Sequence, residues 1–455
     1  MSKPAAMPED YASTVRAHYE ELPYPFRDPN EEGKHFHGSD GFSIDAFSHM
    51  GWAGKRDLRD GGRFLVAGCG TGDTLVALAE QLLGSTAQLV AVDLSLASIA
   101  IAKARLAKRG LSDRVVFHHR SILDITSLEL GLFDVIESSG VLHHLPDPNA
   151  GLAALANLLA QDGLMAIMVY AQYGRQSIYL VQALMKQLMD DTTPRAQKIE
   201  IAREFLNNIP HGHWLTVNND NFLEDIRWPD GSGIYDLFLH SVDRAYTVPQ
   251  LYEWLAGSSL QLTQFFSSFT DDCLYKPECY SASPLLNSIS APKTEPQRHA
   301  IAELMNGNMC KHSFYAAKQP KQAAQLADDM VISYGPMQWL FIHYLDTLLP
   351  LLAKAAVGER IEVSPRPFAT APSLQITKAV HTEMLLRLIN GEYSVGQIIH
   401  TVTQQTGASV GQVGEQLAML YSQLRARQMV FLRHASIPPY INASQIIQRF
   451  NALAK

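Results

Sequence analysis

The segment from residue 63 to residue 170 alternates short apolar runs with longer stretches whose apolar residues recur at helical spacing. Such alternation is typical of a parallel sheet covered by helices, because a crossover helix follows each strand. The predicted strands are residues 63–67, 88–92, 115–118, 133–137 and 164–169. The predicted helices between them are residues 71–83, 96–108 and 150–159. We therefore expect an α/β fold with a Rossmann-like sheet.

The alternation stops after Tyr170. A helix-rich stretch with many polar and aromatic residues follows, and we interpret residues 170–240 as a cap inserted over a site. After a helix at residues 248–255, two strand candidates at 261–266 and 312–317 are suited to complete the sheet as an antiparallel pair. We assign residues 61–320 to this domain and residues 1–60 to an N-terminal lid segment.

Three closely spaced prolines, Pro365, Pro367 and Pro372, mark a second boundary. We expect a helical connector at residues 321–358 and a small α+β module at residues 359–455. The elements predicted inside this module are helices at 379–389, 395–405 and 410–425 and a strand at 429–433. Three helices followed by a terminal strand predict a winged-helix-like module.

Composition excludes several classes of protein. The 455 residues are 47% hydrophobic and 18% charged, and a net charge of -8 argues against a surface that grips nucleic acid throughout. The four cysteines lack the spacing of a zinc site and are too few for a disulfide scaffold, so we expect no metal and reduced thiols in a cytoplasmic protein. We expect no export signal and no membrane span, since the most apolar stretch, residues 339–352, is too short.

A glycine-rich turn, Gly-Cys-Gly-Thr-Gly-Asp at residues 68–73, joins the first predicted strand to the first predicted helix. Its glycines let the backbone turn sharply, and the helix start attracts anionic groups. Dinucleotide-binding proteins use the spacing G-x-G-x-x-G, but Asp73 stands at the third glycine position and disfavours a pyrophosphate. An amino-acid carboxylate fits this turn better, while a plain tight connection would give the same pattern.

Two acids follow the next strands. Asp93 ends the second strand, and an acid there can accept hydrogen bonds from both ribose hydroxyls of an adenosine-containing ligand. An acid that caps the helix starting near Leu96 would look the same. Asp124 follows the third strand, where it is suited to accept from an adenine amino group or to remain a solvated turn residue.

These features together resemble the class I S-adenosylmethionine-dependent methyltransferases over residues 11–318. The resemblance rests on GCGTG at 68–72, AVDLS at 91–95, the Asp124 loop and FDVIESSGVLHHL at 133–145. It implies a seven-stranded sheet whose last strand is antiparallel, with S-adenosylmethionine bound at the strand ends. The cofactor-binding residues that it implies are Gly68, Cys69, Gly70, Thr71, Gly72, Asp93, Leu94, Asp124 and Ser138.

The sequence departs from this family at Val66. Family members usually carry an acid two residues before the first glycine, which helps to hold the ammonium group of the cofactor. With Val66 there, backbone carbonyls near Gly68 would have to take more of that role. Together with YEELPYPFRDP at 19–29 and the stretch at 236–255, this variant resembles a less characterised bacterial branch whose members often carry extra modules.

Methyl transfer to an alcohol, phenol or ammonium also requires a group that removes a proton. The candidate catalytic residues are His143, Glu137 and His240. His144 follows the same strand as His143, and one of these two histidines could act as the base. Other candidates to line the site are Ser139, His211, His213, Trp214 and Asp236, with Tyr19, Tyr24, Phe26 and Arg27 as a lid. Ordinary packing would explain each of these equally.

The terminal module is weakly similar to domains that hold precursor peptides and to modules appended to bacterial protein-lysine methyltransferases. This similarity, over residues 372–433, favours a peptide or protein acceptor over a small molecule. Only Arg425, Arg427 and Arg433 cluster there, which argues against nucleic acid as a partner. A homodimer stays open. The alternative function is a non-catalytic protein that senses the cofactor and regulates a partner.

Overall fold

The structure is a computed structural model. It describes residues 11–32, 42–190, 192–217, 226–240, 242–266, 272–335, 338–363, 374–426 and 429–440, with residues 445, 448, 449 and 452.

A seven-stranded sheet forms the centre of the first domain. Its strands are β1 Arg63–Ala67, β2 Gln88–Asp93, β3 Val115–His119, β4 Phe133–Ser139, β5 Leu159–Tyr170, β6 Gln261–Phe266 and β7 Lys311–Ala317. The spatial order is β3-β2-β1-β4-β5-β7-β6, and β7 runs antiparallel to both of its neighbours. The α/β, Rossmann-like sheet predicted from the sequence is confirmed.

Helices surround this sheet and build the C-terminal module. In chain order they are α1 Tyr11–Glu21, α2 Ile44–Gly51, α3 Asp73–Gln81, α4 Leu96–Lys108, α5 Pro148–Leu158, α6 Gln176–Leu188, α7 Arg195–Asn207, α8 Trp214–Val217, α9 Ser232–Ile234, α10 Val248–Gly257, α11 Pro284–Ser290, α12 Glu295–Asn306, α13 Gln338–Lys354, α14 Thr382–Leu388, α15 Val395–Thr406 and α16 Val410–Arg425. Within the described residues, the helices fall short of the length and hydrophobicity that a membrane span needs.

Side chains on the strands alternate between two apolar layers. Leu65 of β1 and Ile136 of β4 belong to the layer covered by α5 and α10. Val66 and Val135 belong to the opposite layer, covered by α2, α3 and α4. Because both faces of the sheet are buried, the strands are continuously apolar in sequence. A polar ligand can therefore bind only at the edge formed by the carboxyl ends of the strands.

One boundary differs from the prediction. The fifth strand was expected to begin at residue 164, after a helix at residues 150–159, but β5 begins at Leu159, directly after α5. Leu159 pairs with Phe133, and a register shift between Phe133 and Val135 absorbs the extra residues. A bulged part of the strand therefore occupies the stretch that was expected to connect the helix to the strand.

The cap between β5 and α10 has a small core of its own. It comprises α6, α7, α8, α9 and a π-helical turn, Tyr235–Leu239. Ile178 and Val181 of α6 pack in one buried cluster with Leu237 and Phe238. This packing holds the π-helical turn beside the carboxyl edge of the sheet.

The C-terminal module includes three strands that were not predicted, in addition to the predicted terminal strand. β8 Met330–Tyr334 pairs antiparallel with β11 Val430–His434, and β9 Arg360–Val363 pairs with β10 Leu374–Thr377. The expectation that residues 321–358 form a purely helical connector is wrong, because β8 lies inside that stretch. Its apolar side chains need a partner from elsewhere in the chain, and β11 supplies it.

The module packs against the first domain away from the carboxyl edge of the sheet. The Leu432 backbone N–H donates to His49 Nδ1 over 3.0 Å, which ties β11 to α2. The Arg59 guanidinium donates to the carbonyl oxygens of Pro438 and Pro439, and it lies over the Tyr440 ring. These contacts join the module to the side of the sheet that α2 covers.

Candidate active site

The turn after β1 has a backbone shape that glycine allows. Gly70 has φ +50°, and a Cβ there would lie 2.7 Å from the Tyr24 carbonyl oxygen. Gly68 has φ +82°, and a Cβ there would lie 2.4 Å from Val141. Both positions combine left-handed backbone with close neighbours, so a side chain at either would distort the turn. The backbone can therefore approach a ligand closely at this point.

Asp93 lies at the end of β2, directly beside this turn. Its Oδ2 accepts the Gly70 backbone N–H over 2.7 Å, and its Oδ1 accepts the Ser95 backbone N–H over 2.8 Å. Burial raises the pKa of Asp93, while these two backbone hydrogen bonds act against that rise. The carboxylate is thus fixed in orientation at the edge where a ribose is expected.

A cleft of about 930 Å³ opens at the carboxyl ends of β1, β2, β4 and β5. Its volume is at the upper end of the range for small-molecule sites, about 300 to 1,000 Å³, which leaves room for a nucleoside cofactor and an acceptor group. The predicted cofactor-binding residues that line it are Gly68, Cys69, Gly70, Asp93 and Leu94. Thr71 and Gly72 shape the turn behind the lining.

The structure does not bring Asp124 or Ser138 to the cleft lining. The chain after β3 coils into a 3₁₀ helix, Ile122–Leu128, which leaves Asp124 exposed and turns Ser121 and Ile122 toward the cleft. The Ser138 hydroxyl points to the other face of β4 and donates to the Ala67 carbonyl oxygen over 3.0 Å. Both were predicted as cofactor-binding residues, and the structure gives them other surroundings.

The N-terminal segment crosses the glycine turn. The Thr71 hydroxyl donates to the Pro25 carbonyl oxygen over 2.7 Å. The Arg27 guanidinium donates to both carboxylate oxygens of Asp73, at 2.9 and 2.7 Å, and Arg105 donates to the same group. Asp73 is therefore charge-compensated, so repulsion by its carboxylate, which the sequence suggested as the reason against a pyrophosphate, is weaker than expected.

Glu137 lies at the end of β4 and lines the cleft. Its side chain is 2% exposed, and its Oε1 has no hydrogen-bond partner among the described residues. Burial raises the pKa of Glu137 to about 8. A buried carboxyl oxygen without a hydrogen-bond partner favours a ligand that can donate a hydrogen bond to it.

The two adjacent histidines after β4 differ in their surroundings. His143 is fully buried, and its ring lies 3.8 Å from the Tyr170 ring with neither nitrogen hydrogen-bonded within the described chain. His144 lines the cleft, and its Nδ1 is 2.8 Å from the Val242 carbonyl oxygen. That contact places a proton on Nδ1 and leaves Nε2 as the proton-accepting atom. Of these two histidines, His144 is the one that reaches the cleft lining.

The comparisons with known proteins agree with this geometry. A family model described as a methyltransferase domain matches residues 58–221. A ubiquinone biosynthesis O-methyltransferase of Thiobacillus denitrificans is 32% identical over 147 residues, which are 32% of this chain and 58% of that enzyme. The solved structure of PKMT2 from Rickettsia typhi in complex with AdoHcy has a TM-score of 0.58 at 15% identity, and the match covers 83% of this chain and 72% of that one. The chain carries a methyltransferase domain of the class I S-adenosylmethionine-dependent type. It is an enzyme of this class, and S-adenosylmethionine is its cofactor.

A relative in Synechococcus, named only as an uncharacterized protein, is 29% identical over 349 residues, covering 73% of this chain and 78% of that protein. The O-methyltransferase match, in contrast, covers little more than half of that enzyme. The shared fold with PKMT2 shows that this methyltransferase has the same architecture, and it leaves the acceptor open.

A polar cluster lies behind the cleft of this methyltransferase, at the end of β5. The hydroxyls of Tyr19 and Tyr170 donate to the two oxygens of Asp236, each over 3.2 Å. His240 Nε2 is 3.3 Å from the Tyr19 hydroxyl, and its ring lies 4.0 Å from the ring of His144. Tyr19, Tyr170 and His144 line the cleft, while Asp236 and His240 lie one layer deeper.

His144, Asp236 and His240 each bring a ligand atom within 4.8 Å of the others. Two imidazoles and a carboxylate are a donor set that transition metals accept, although the sequence predicted no metal site. Both Asp236 oxygens accept tyrosine hydroxyls here, and burial lowers the pKa of His240 to about 3. In this structure the cluster is therefore a hydrogen-bonded network behind the cleft.

Other predicted side chains stay outside the site. Trp214 of α8 is 59% exposed, and His213 accepts the Leu215 backbone N–H. Arg175 and Met168 line the cleft without having been predicted. Met168 follows the alternating pattern of β5 and could have been found from strand phase. Arg175 carries no sequence signal, because its place depends on how the cap folds back.

Proposed function

We propose that this methyltransferase transfers the methyl group to an amine nitrogen on a polypeptide side chain, with lysine as the first acceptor to test. The observation that carries the proposal is the pair of tyrosine hydroxyls, Tyr19 and Tyr170, held by the buried carboxyl of Asp236 at the acceptor end of the cleft. Bound S-adenosylmethionine supplies a methyl group on a sulfonium that leaves as a neutral thioether.

The direction of these hydrogen bonds suits an amine. Each tyrosine hydroxyl donates its proton to Asp236, so the lone pairs of the Tyr170 oxygen can accept hydrogen bonds from another donor, while the Tyr19 oxygen also contacts His240 Nε2 over 3.3 Å. An amine has N–H groups to donate and one lone pair to direct at the methyl carbon. The Tyr170 oxygen can therefore orient the nitrogen without taking its lone pair.

The charges on the acceptor side also favour a cationic side chain. The Arg175 guanidinium pairs with Asp243 over 3.0 Å, whereas Asp236 is bonded to tyrosine hydroxyls. Burial raises the pKa of Asp236, and an incoming ammonium would favour its ionised form. A lysine side chain is thus attracted as a cation.

The attacking nitrogen must lose its proton before the transfer. Burial lowers the pKa of a lysine ammonium in such a site, because an apolar environment disfavours the charged form. Burial also lowers the pKa of His144, so its imidazole is neutral at pH 7 and its Nε2 is oriented to accept a proton. His144 is therefore the residue to which we assign proton removal.

A second candidate is O-methylation of a small phenol. It is supported by the similarity to a ubiquinone biosynthesis O-methyltransferase, which is confined to 147 residues of this chain. A phenol presents a hydroxyl proton to the same tyrosine oxygens. The C-terminal module, with its weak similarity to peptide-holding domains, favours the polypeptide.

Release of S-adenosylhomocysteine (AdoHcy) by the full chain tests the proposal. Three acceptors are compared: a lysine peptide, the same peptide with acetylated lysine, and a catechol. We expect turnover with the unmodified lysine peptide alone. Turnover with the catechol alone would transfer the assignment to O-methylation. If AdoHcy were released with none of these acceptors, nor with a peptide pool or a cell extract, the cofactor-sensing alternative would be favoured.

Tyr170→Phe is the matched variant for this assay. It keeps the ring that packs on His143 and removes the hydroxyl that contacts Asp236. We expect kcat/KM for the lysine peptide to fall about tenfold or more, since one hydrogen bond to a charged group contributes about 1.5 to 3 kcal/mol. Cofactor affinity, measured by calorimetry, should stay the same. Unchanged kcat/KM would remove Tyr170 from the acceptor site.

A further inference from the structure

Val66 occupies the position where related enzymes usually carry the acid that holds the cofactor's ammonium group. Its side chain is 1% exposed and packs in the apolar layer under α2 and α3, so it offers no hydrogen-bond acceptor. The α-ammonium group of S-adenosylmethionine carries three N–H donors and a positive charge. Another group at the edge of the sheet has to receive them.

Glu137 is the direct neighbour of Val66 in the sheet. The two residues are Cα partners in the parallel pairing of β1 with β4. Adjacent strands are about 4.8 Å apart, and paired residues in a parallel ladder point to the same face. Val66 and Glu137 both line the cleft, which agrees with this shared orientation. A carboxylate on residue 137 can therefore reach the space that an acid on residue 66 would serve.

The state of Glu137 indicates that its partner comes from a ligand. Oε1 is buried and has no hydrogen-bond partner within the described chain. Among the cationic side chains that line the cleft, Arg27 pairs with Asp73 and Arg175 pairs with Asp243. Burying a carboxyl group without donors is unfavourable, and a site that binds a cation offsets that cost.

We infer that Glu137 binds the α-ammonium group of S-adenosylmethionine, so that the acid usually found on β1 has moved to the neighbouring strand. The ligand class is the amino-acid half of a sulfonium nucleoside or of its thioether product. This assignment makes Glu137 a cofactor-binding residue and not the base that removes the acceptor's proton, which the sequence had suggested. It depends on the cofactor and is independent of the identity of the acceptor.

Calorimetry with two ligands tests the inference. AdoHcy and its analogue without the amino group are titrated into the wild-type chain and into Glu137→Gln. We expect Glu137→Gln to weaken AdoHcy at least about tenfold, because a charge-assisted hydrogen bond is lost. Binding of the desamino analogue should change by less than about threefold, since it lacks the group that Glu137 contacts. Equal weakening of both ligands, or of neither, would overturn the inference.

Further variants make the result decisive. Asp93→Asn is the matched control, because Asp93 faces the ribose that both ligands share, and it should weaken both equally. If Glu137→Gln does not fold, Glu137→Asp keeps the charge on a shorter side chain, and its loss must again fall on AdoHcy and spare the analogue. The exchange Val66→Glu with Glu137→Val should bind AdoHcy more tightly than Glu137→Val alone. Failure of that exchange to improve binding would contradict the shared position of the two side chains.

Discussion

The Asp93 carboxylate accepts the backbone N–H of Gly70 over 2.7 Å, so the acid at the end of β2 and the glycine turn after β1 form one unit before any ligand binds. The Ser95 backbone N–H fixes the second oxygen. Because both oxygens are already fixed, cofactor binding costs less conformational entropy at this edge of the sheet. The same bonds favour the ionised carboxylate, which is the form that accepts ribose hydroxyls.

Removing the charge of Asp93 should weaken the cofactor. Asp93→Asn loses two charge-assisted hydrogen bonds to the ribose, each worth about 1.5 to 3 kcal/mol before compensation, so AdoHcy should bind at least about tenfold more weakly. Asp124→Asn is the control, because Asp124 is exposed on its 3₁₀ helix and should leave the affinity unchanged. Equal effects of the two variants in calorimetry would contradict the placement of the adenosine.

Arg27 should slow the escape of the cofactor. Its two hydrogen bonds to Asp73 hold the N-terminal segment over the glycine turn. Arg27→Ala lowers the free energy that holds this segment closed by about 1 kcal/mol. The dissociation rate of AdoHcy should therefore rise about fivefold to tenfold in stopped-flow measurements. Arg298→Ala, which removes a surface pair with Glu278, should not change that rate. An unaltered rate in Arg27→Ala would show that this segment is not a lid.

Glu32 should be important for stability. Its buried carboxylate contacts the buried guanidinium groups of Arg105 and Arg109, which join the N-terminal segment to α4. Glu32→Gln removes one acid from each guanidinium while Asp73 and Glu80 remain as partners of Arg105 and Arg109, so the free energy of unfolding should fall by about 1.5 to 3 kcal/mol in urea titrations. Glu278→Gln breaks an exposed pair and should cost less than about 1 kcal/mol. A loss of similar size in both variants would contradict this difference.

The raised pKa of Glu137 predicts a specific pH dependence of stability. The pKa of Glu137 is about 8 in the folded chain, against an ordinary value of 4.5. Between these two pH values the folded chain keeps a proton on Glu137 that the unfolded chain has released. The stabilisation from this proton is complete below pH 4.5 and is lost as the pH rises through about 8. From about pH 5 to pH 8, the unfolding free energy of the wild type should therefore fall more than that of Glu137→Gln.

The comparison of the two chains isolates Glu137. The nearby titratable groups on the cleft, Cys69, Asp93 and His144, are present in both chains. Asp45, whose pKa burial raises to about 7, is present in both as well, so its contribution cancels in the difference. Saturating AdoHcy should reduce the pH dependence of the wild type, because a bound ammonium favours the ionised carboxylate. Parallel curves for both chains without ligand would contradict the raised pKa.

The sheet could be predicted because both of its faces are buried. Runs such as those of β1 and β2 are continuously apolar, and this pattern leaves few alternatives for residues 63–67 and 88–92. β8 was missed because a short apolar run can be recognised as a strand only when its distant partner, here β11, is known. Local pattern carries no information about such a pairing.

The site could be predicted where chemistry follows a strand end directly, as it does at Gly68, Gly70 and Asp93. Asp124 was misplaced because the turn after β3 coils as a 3₁₀ helix, which no spacing rule indicated. The relation of Glu137 to Val66 needs the sheet register, and that of Tyr170 to Asp236 needs the folded cap. Both are long-range contacts, which one sequence does not reveal.

The most direct test of the account is to locate the transferred methyl group. The full chain is incubated with S-adenosylmethionine carrying an isotope-labelled methyl group, a lysine-containing peptide pool and a catechol, and the products are mapped by tandem mass spectrometry. We predict the label on lysine side-chain nitrogens, with its yield reduced in Tyr170→Phe. Label on the catechol oxygen, with none on any peptide, would contradict the account.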